Sequence, residues 1–241
     1  GLPNAIKTFD EEIVPRGFRP KGIRIDSGDL AYLSKECRKI LDEAGYPDCK
    51  IIASSSLDEY TIRELLLQGA EIDSFGVGER LITAKSQPVF GGVYKLTAIE
   101  NEGRLIPKIK VSENVGKITT PGFKQVYRFF DKKTGKAIAD VITLHDEEID
   151  ESKPYEIFHP IYTWKRKTLE NFYVKKLLVQ IFHKGNCLYE SPNIHDIQKY
   201  CKDQLDLIWD EVKRFDKPHR YIVDLSQKLW DIKDQLLKEH K

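Results

Sequence analysis

Three consecutive strand–loop–helix units open this chain, and they constrain its fold more than any other feature. Short apolar segments at residues 22–26, 50–53 and 72–75 are each followed by a polar loop and a helical pattern. Strands whose starts lie about 20 to 30 residues apart are typical of βαβ units, which build parallel sheets. The sequence therefore predicts an α/β fold in which three polar loops meet at the carboxyl ends of neighbouring strands.

Helical periodicity follows the first two loops. Leu30, Leu33 and Cys37 recur at steps of three and four, and a second helix is predicted over residues 57–68, before a glycine. Ser56 and the glutamate three residues later have the spacing of a capping box, so Ser56 is the predicted cap of the second helix.

Residues after 88 have a different pattern. Hairpins are predicted over residues 92–110 and 124–144, each around a glycine-containing turn. The acidic, proline-ended segment 146–154 is predicted to be a solvated boundary. A third, short hairpin is predicted over residues 176–189.

Two amphipathic helices are predicted near the end of the chain. The first begins with Ser191 as N-cap and Pro192 at its first position, and its apolar stripe continues to Phe215. The second spans residues 225–238. Both stripes are predicted to belong to the core.

Charge and apolar run length exclude several classes of protein. The 39 basic and 38 acidic residues nearly cancel, so no global field favours nucleic acid or an anionic membrane. No apolar run approaches the roughly 20 residues of a membrane span, and no leader pattern opens the chain. Four cysteines without a Cys-x-x-Cys pair predict reduced thiols, mostly in packing roles. We expect a cytoplasmic protein with no membrane or nucleic-acid partner.

The first polar loop concentrates several kinds of chemistry. Ser27 and Gly28 provide backbone N–H groups where a helix begins, an arrangement that suits phosphate. Asp26 and Asp29 can accept hydrogen bonds from sugar hydroxyls or hold Mg²⁺, although Asp29 can also be only an N-cap. Arg24 lies two residues before Asp26 on one side of a strand, where it can pair with Asp26, bind a substrate carboxylate or form a buried structural ion pair.

The other two loops repeat the phosphate-binding features. Ser54 and Ser55 follow the second strand, and Gly76, Val77 and Gly78 follow the third. Glycines let the backbone approach a ligand closely, although a Gly-x-Gly alone is a weak signal and a serine here can be only a cap. Together the three loops indicate a site for a phosphorylated sugar.

Ordered motifs along the chain carry a family resemblance. The runs at residues 22–30, 72–78, 88–96 and 121–128, with further matches at 164–167 and 218–221, resemble the nicotinate phosphoribosyltransferase family, in particular the carboxy-terminal portion of bacterial members with a long extension. The resemblance implies part of a type II phosphoribosyltransferase irregular α/β barrel. It also implies three regions: barrel over residues 1–88, β-rich second-domain segments over 89–150, and an extension with a hairpin and two helices over 151–241.

The resemblance also implies an activity. Members of this family join nicotinate to phosphoribosyl pyrophosphate, giving nicotinate mononucleotide and pyrophosphate in NAD salvage. They couple ATP hydrolysis to this step, require Mg²⁺ and usually act as homodimers.

Site roles are carried over by motif. Arg24 is implied to bind the nicotinate carboxylate, with Ser27, Gly28, Ser54 and Ser55 as further substrate contacts. Asp26 and Asp29 are the implied catalytic carboxylates at the ribose, and Asp29 is the implied metal ligand. The 5′-phosphate is implied to bind the loop formed by Gly76, Val77, Gly78 and Glu79, although many relatives have threonine at the position of Glu79.

Two features lead to further expectations. None of the six histidines matches the histidine that family members phosphorylate from ATP, and the chain has no methionine, so we expect a fragment that is inactive alone. A sister enzyme acting on nicotinamide or another pyridine and a non-catalytic phosphosugar-binding or assembly module remain alternatives. The basic run 165–167 is interpreted as solvated surface or as a phosphate contact at a dimer interface.

Overall fold

A computed structural model of the chain describes residues 1–89 and 91–240, which form two compact units divided between Gly92 and Val93. Phe90, within the 88–96 motif, and Lys241, within the predicted third region, lie outside the described residues. The predicted region boundaries at 88/89 and 150/151 stay predictions.

The first unit is built on a parallel sheet with the strand order β1-β2-β3, as predicted. A π-helical turn (Phe9–Ile13) and a 3₁₀ turn (Val14–Arg16) follow the first helix. The other elements, in chain order, are α1 (Leu2–Thr8), β1 (Gly22–Ile25), α2 (Leu30–Glu43), β2 (Lys50–Ser54), α3 (Glu59–Leu67), β3 (Ser74–Gly76) and α4 (Glu79–Ile82).

Burial explains why the central strand of this sheet is short and apolar. Ile51 and Ala53 of β2 are fully buried, and Ile52, which lies between them in the sequence, is exposed. Ala53 packs with Leu57 and with Leu65 of α3 in one cluster. The apolar patterns that predicted β1, β2 and the two helices therefore correspond to packed faces.

The predicted cap of α3 is wrong. Asp58 is the N-cap, and its carboxylate accepts a hydrogen bond from the backbone N–H of Thr61 at 2.8 Å. Ser56 lies before the helix with a φ of 48°. A carboxylate one position from the helix start satisfies the unpaired N–H groups, and Ser56 is left to the loop.

The second unit is mainly antiparallel. The predicted hairpins form as β4 with β5 and β6 with β7, and a 3₁₀ turn (Val115–Lys117) separates them. Its strands and helices are β4 (Ala98–Asn101), β5 (Arg104–Pro107), β6 (Lys124–Asp131), β7 (Ala137–Leu144), β8 (Tyr155–Phe158), β9 (Arg166–Leu169), β10 (Phe172–Lys176), β11 (Phe182–His183), β12 (Asn186–Cys187), α5 (Ile194–Asp206), β13 (Ile222–Leu225) and α6 (Gln227–Glu239).

A four-stranded sheet with the order β10-β6-β7-β13 supports the core of this unit. β13 is parallel to β7, and the other neighbours are antiparallel. The β8–β9 hairpin adds Ile157 and Leu169 to a core cluster that contains Tyr127, Phe129 and Phe172. Leu229 of α6 is also fully buried, in agreement with the predicted stripe of that helix.

The predicted third hairpin is largely wrong. Lys176 ends β10, which pairs with β6, and only the two-residue strands β11 and β12 form a hairpin farther along. Aromatic side chains account for the difference, because Phe172 of β10 is buried against Phe129 of β6, with ring centroids 4.8 Å apart.

Helix α5 also differs from its prediction. Asn193, not Ser191, is the N-cap, and the helix ends at Asp206 instead of continuing to Phe215. A hydrogen bond from the β6–β7 hairpin fixes the carboxy-terminal end of the helix, because the backbone N–H of Ala137 donates to the carbonyl of Leu207 at 2.8 Å. The predicted core stripe is exposed here: within the described part of the chain, α5 buries none of its residues.

The acidic segment 146–154 is largely exposed, as expected of a solvated segment, and hydrogen bonds also hold it against the sheet. Glu147 accepts hydrogen bonds from the backbone N–H of Leu144 and the hydroxyl of Ser226, at 2.7 and 2.8 Å. Glu148 pairs with Lys176 at 2.8 Å. The carboxylates of Glu147 and Glu148 in this acidic segment therefore accept from defined donors.

The cysteines and helices bear on two sequence-level expectations. All four cysteines are free thiols; Cys37 and Cys49 are at least partly buried, whereas Cys187 and Cys201 are exposed and have no packing role in this structure. Among the residues described, none of the helices combines the length and hydropathy that a membrane span needs.

One ion pair lies within the second unit's sheet. Arg128 of β6 donates two hydrogen bonds to Asp140 of β7, at 2.8 and 2.9 Å, and Tyr221 donates a third to the same carboxylate at 2.9 Å. Asp140 is 8% exposed. The hydrogen bond to Asp140 raises the pKa of Arg128, and burial raises the pKa of Tyr221.

Removing one partner of this network should be costly. We expect Arg128→Ala to lower the free energy of unfolding by about 3 kcal/mol, because it leaves a buried carboxylate without its counter-charge. Urea unfolding followed by circular dichroism measures this loss. The control is Arg16→Ala, which removes an exposed pair with Glu12 and should cost less than about 0.5 kcal/mol. Equal losses in the two variants would contradict the assignment.

Candidate functional site

The three polar loops of the first unit meet at one edge of its sheet. β1 and β2 are parallel, with Arg24 opposite Ile52, and β2 and β3 are parallel, with Ser54 opposite Gly76. The loops that follow these strands therefore begin side by side. Open parallel sheets bind ligands beyond the carboxyl ends of their strands, so this edge is the candidate site.

Arg24 is oriented by both neighbouring loops. Its Nε donates to the hydroxyl of Ser54 at 2.9 Å, and its Nη2 donates to a carboxylate oxygen of Asp26 at 3.0 Å. The side chains of Arg24 and Asp26 are 64% and 57% exposed, so this is not a buried structural ion pair. These two bonds use two of the five guanidinium donors and leave the group accessible to a ligand.

Asp29 has a local structural role in this conformation. It is the N-cap of α2, and its Oδ1 accepts from the backbone N–H of Tyr32 at 3.0 Å. Gly28 has a φ of 79°, and a Cβ at this position would lie 2.9 Å from the Leu33 side chain. Ser27 joins this turn to Asp26, and all four residues of the loop are exposed. Only glycine fits the backbone at position 28 without strain.

The loop after β2 has an unusual backbone. Ser55 has a φ of 109° and Ser56 a φ of 48°, both in the region that favours glycine. Such conformations cost on the order of 1–3 kcal/mol each and are concentrated at binding and catalytic sites. The turn directs the chain away from Ser54, whose hydroxyl is bonded to Arg24.

The end of β3 packs closely against the end of β2. A Cβ on Gly76 would lie 3.3 Å from the Cβ of Ser54, so this position has little space for a side chain. Val77 packs on the apolar cluster beneath the site, and Gly78 precedes the short helix α4. The Glu79 carboxylate lies 3.9 Å from the Lys85 ammonium on the exposed surface.

An ion pair that we did not predict joins the second and third loops. Arg80 of α4 pairs with Asp58, the cap of α3, and their side chains are 32% and 17% exposed. The backbone N–H of Thr61 and the Arg80 guanidinium both lower the pKa of Asp58. An N-cap aspartate can be predicted from sequence. Its ion-pair partner Arg80, 22 residues away, cannot.

A groove of about 610 Å³ runs beside β1. Arg24, Asp26 and Ser27 lie along it together with apolar side chains of α1 and β1, including Leu2 and Ile23. The candidate site therefore combines an oriented cation with an adjacent apolar surface, which suits a flat carboxylate ligand.

The carboxylates suit a metal that arrives with a ligand. Within residues 1–89 and 91–240, no cluster of three or more His, Cys, Asp or Glu side chains could hold an ion. Mg²⁺ is commonly bound by one or two carboxylates together with substrate phosphates. Asp26 and Asp29 provide that donor set at an exposed edge.

Fold and site together define an α/β protein with a candidate anion-binding site at the carboxyl edge of a parallel sheet. Residues 123–233 match the family described as nicotinate phosphoribosyltransferase C-terminal domain. The nicotinate phosphoribosyltransferase of Bacillus subtilis (strain 168) is 50% identical over 241 residues, which is 100% of this chain and 49% of the relative. The enzyme of the same name from Dictyostelium discoideum is 34% identical, covering 89% of this chain and 38% of the relative.

A solved structure gives the same result for the fold. The crystal structure of human nicotinic acid phosphoribosyltransferase matches 92% of this chain and 41% of its own length, with a TM-score of 0.70 and 24% identity. The resemblance of this chain to the nicotinate phosphoribosyltransferase family, which its motifs predicted, is confirmed, and so is the predicted fold class. The chain spans about half the length of the curated relatives it matches.

The Asp58–Arg80 pair gives a local prediction. Arg80→Ala should loosen the second and third loops, because it removes the ionic contact between them. We expect the free energy of unfolding to fall by about 1–2 kcal/mol, which lies between the values for exposed and buried ion pairs. Hydrogen exchange followed by mass spectrometry should show faster exchange in residues 54–58 and 76–80. Lys85→Ala, which removes only the exposed contact with Glu79, is the control and should leave these loops unchanged.

Proposed function

We propose that this chain supplies part of the site of an enzyme that transfers a phosphoribosyl group from phosphoribosyl pyrophosphate to nicotinate. The products are nicotinate mononucleotide and pyrophosphate, in NAD salvage, with ATP hydrolysis coupled to the transfer. The names of the relatives support this assignment, because the chain is similar to them along its length. The observation that carries it is the exposed Arg24, oriented by Ser54 and Asp26 at the sheet edge.

Nicotinate recognition is assigned to Arg24. A planar guanidinium matches a carboxylate in a two-bond geometry, and this match would not be available to an uncharged amide ligand. The apolar part of the groove beside β1 suits the pyridine ring. This arrangement favours nicotinate over nicotinamide as the substrate.

The phosphoribosyl end is assigned to the remaining residues of the three loops. Displacement at the anomeric carbon develops positive charge on the ribose, which the carboxylates of Asp26 and Asp29 would stabilise. Bound Mg²⁺, with Asp29 as its protein ligand, would neutralise charge on the departing pyrophosphate. Further substrate contacts and the 5′-phosphate are assigned to the backbone and hydroxyl groups of Ser27, Gly28, Ser54, Ser55, Gly76, Val77, Gly78 and Glu79.

The rest of the activity is assigned to the longer protein. The chain spans about half of its relatives, and we assign none of its histidines to the phosphorylation step. We therefore propose that the isolated 241-residue chain turns over no nicotinate. A homodimeric assembly and a cytoplasmic location are part of the same proposal.

A chimera tests the role of Arg24. The matching half of the Bacillus subtilis relative is replaced by this chain, and nicotinate turnover is measured with phosphoribosyl pyrophosphate, ATP and Mg²⁺. Arg24→Ala should raise KM for nicotinate about 10- to 100-fold, as expected for a lost charged hydrogen bond. KM for phosphoribosyl pyrophosphate should change less than about threefold on the same basis.

Two measurements decide the outcome. Arg19→Ala, which removes an exposed pair with Asp48 in the same unit, is the matched control and should leave both KM values unchanged. Unchanged nicotinate kinetics in Arg24→Ala, or equal use of nicotinamide by the unmodified chimera, would remove the assigned role. Turnover by the isolated chain would overturn the proposal that it is incomplete.

A further inference from the structure

The second unit contains a pocket that the proposed function does not use. It has a volume of about 310 Å³ and lies between the β8–β9 hairpin and β13. Its residues include the basic run 165–167, which the sequence leaves without a defined role. The volume is at the lower end of the roughly 300–1,000 Å³ typical of small-molecule sites.

A carboxylate without a partner lies in this pocket. Asp224 of β13 is 5% exposed, and no described residue donates it a hydrogen bond or forms an ion pair with it. Burial raises its pKa to about 6, against the opposing effect of Arg220. A carboxylate this buried normally has a hydrogen-bond donor, so Asp224 is an acceptor that a ligand in the pocket would reach.

Cationic side chains line the same pocket. Lys165, Lys167 and Arg220 line the pocket, and within the described part of the chain none of the three forms an ion pair. Arg166 is different, because it is paired with Glu156. Lys167 lies opposite Ile157 in the hairpin, so the two side chains share a face. Lys165 contacts the Tyr162 ring, with its ammonium 5.0 Å from the centroid. Three cations without a carboxylate partner in one pocket attract an anion with more than one negative charge.

His159 gives the pocket an uncharged hydrogen-bond donor. Its Nδ1 accepts hydrogen bonds from the backbone N–H groups of Ile161 and Tyr162, at 3.1 and 3.0 Å. A neutral ring with this acceptor carries its hydrogen on Nε2. Burial and the nearby charges of Arg220 and Lys165 lower the pKa of His159, which favours the neutral form.

Apolar side chains form the remaining walls. Ile157, Ile222 and Val223 line the pocket beside Asp224. Tyr221 is fixed in place because its hydroxyl donates to Asp140 at 2.9 Å. The pocket therefore combines a hydrogen-bond acceptor, Asp224, with apolar residues and cationic side chains.

We propose that this pocket binds a nucleoside monophosphate whose base carries an exocyclic amino group. The amino group donates to Asp224, the base contacts Ile157 and Ile222, and the phosphate binds Lys167 and its cationic neighbours. A phosphate alone would leave the buried carboxylate unpaired and repel it. A ligand with a hydrogen-bond donor at one end and a phosphate at the other pairs with both the buried carboxylate and the cations of the pocket.

Isothermal titration calorimetry of the 241-residue chain with AMP tests this proposal. Adenosine and ribose 5-phosphate are the half-ligand controls, and each should bind at least tenfold more weakly than AMP. Asp224→Leu should weaken AMP at least tenfold and leave ribose 5-phosphate binding intact or tighter, which also shows that the variant is folded. Lys167→Gln should weaken both phosphate ligands.

A matched lysine substitution localises the effect. Lys199 pairs with Asp203 on α5 and does not line the pocket, so Lys199→Gln should leave AMP binding unchanged. Equal affinities for AMP and ribose 5-phosphate would overturn the proposal in favour of a simple anion contact. Absence of AMP binding, or binding that Asp224→Leu and Lys167→Gln do not alter, would also overturn it.

Discussion

The parallel pairing of β2 with strands on both sides is the constraint on which the candidate site depends. This pairing sets the register in which Ser54 lies opposite Gly76 and Ile25 lies opposite Ala53. A shift of one residue would reverse every side chain of β2 and expose the buried Ile51 and Ala53. Burial of the central strand therefore fixes where the three loops begin, side by side at one edge of the sheet.

The parts of the structure that follow from local pattern were predictable from sequence. The parallel sheet, the polar loops and the contact between Arg24 and Asp26 depend on strand alternation and on neighbouring residues. The cap at Asp29 depends only on the turn before α2. The requirement for glycine at position 28 is also local, because it follows from a positive φ.

The remainder depends on partners distant in sequence. The pairing of β10 with β6 is decided by Phe172 and Phe129, which no periodicity connects. Helix α5 ends where the β6–β7 hairpin donates to Leu207, and nothing within the helix sequence specifies that contact. The ion pair of Asp58 with Arg80 and the isolation of Asp224 are likewise products of tertiary packing. Composition identifies such residues as charged but does not identify their partners.

Ser54 lies at a junction between two parts of the site. Its hydroxyl holds Arg24, and its Cβ is the nearest atom to the space above Gly76. Under the proposed function, a phosphate that displaced the glycine loop would also move the residue that orients the arginine. Coupling of this kind is reciprocal, since each ligand changes the affinity for the other by the same factor. The close approach of one serine to one glycine would thus link the two proposed halves of the site, so that a change at one would alter the affinity of the other.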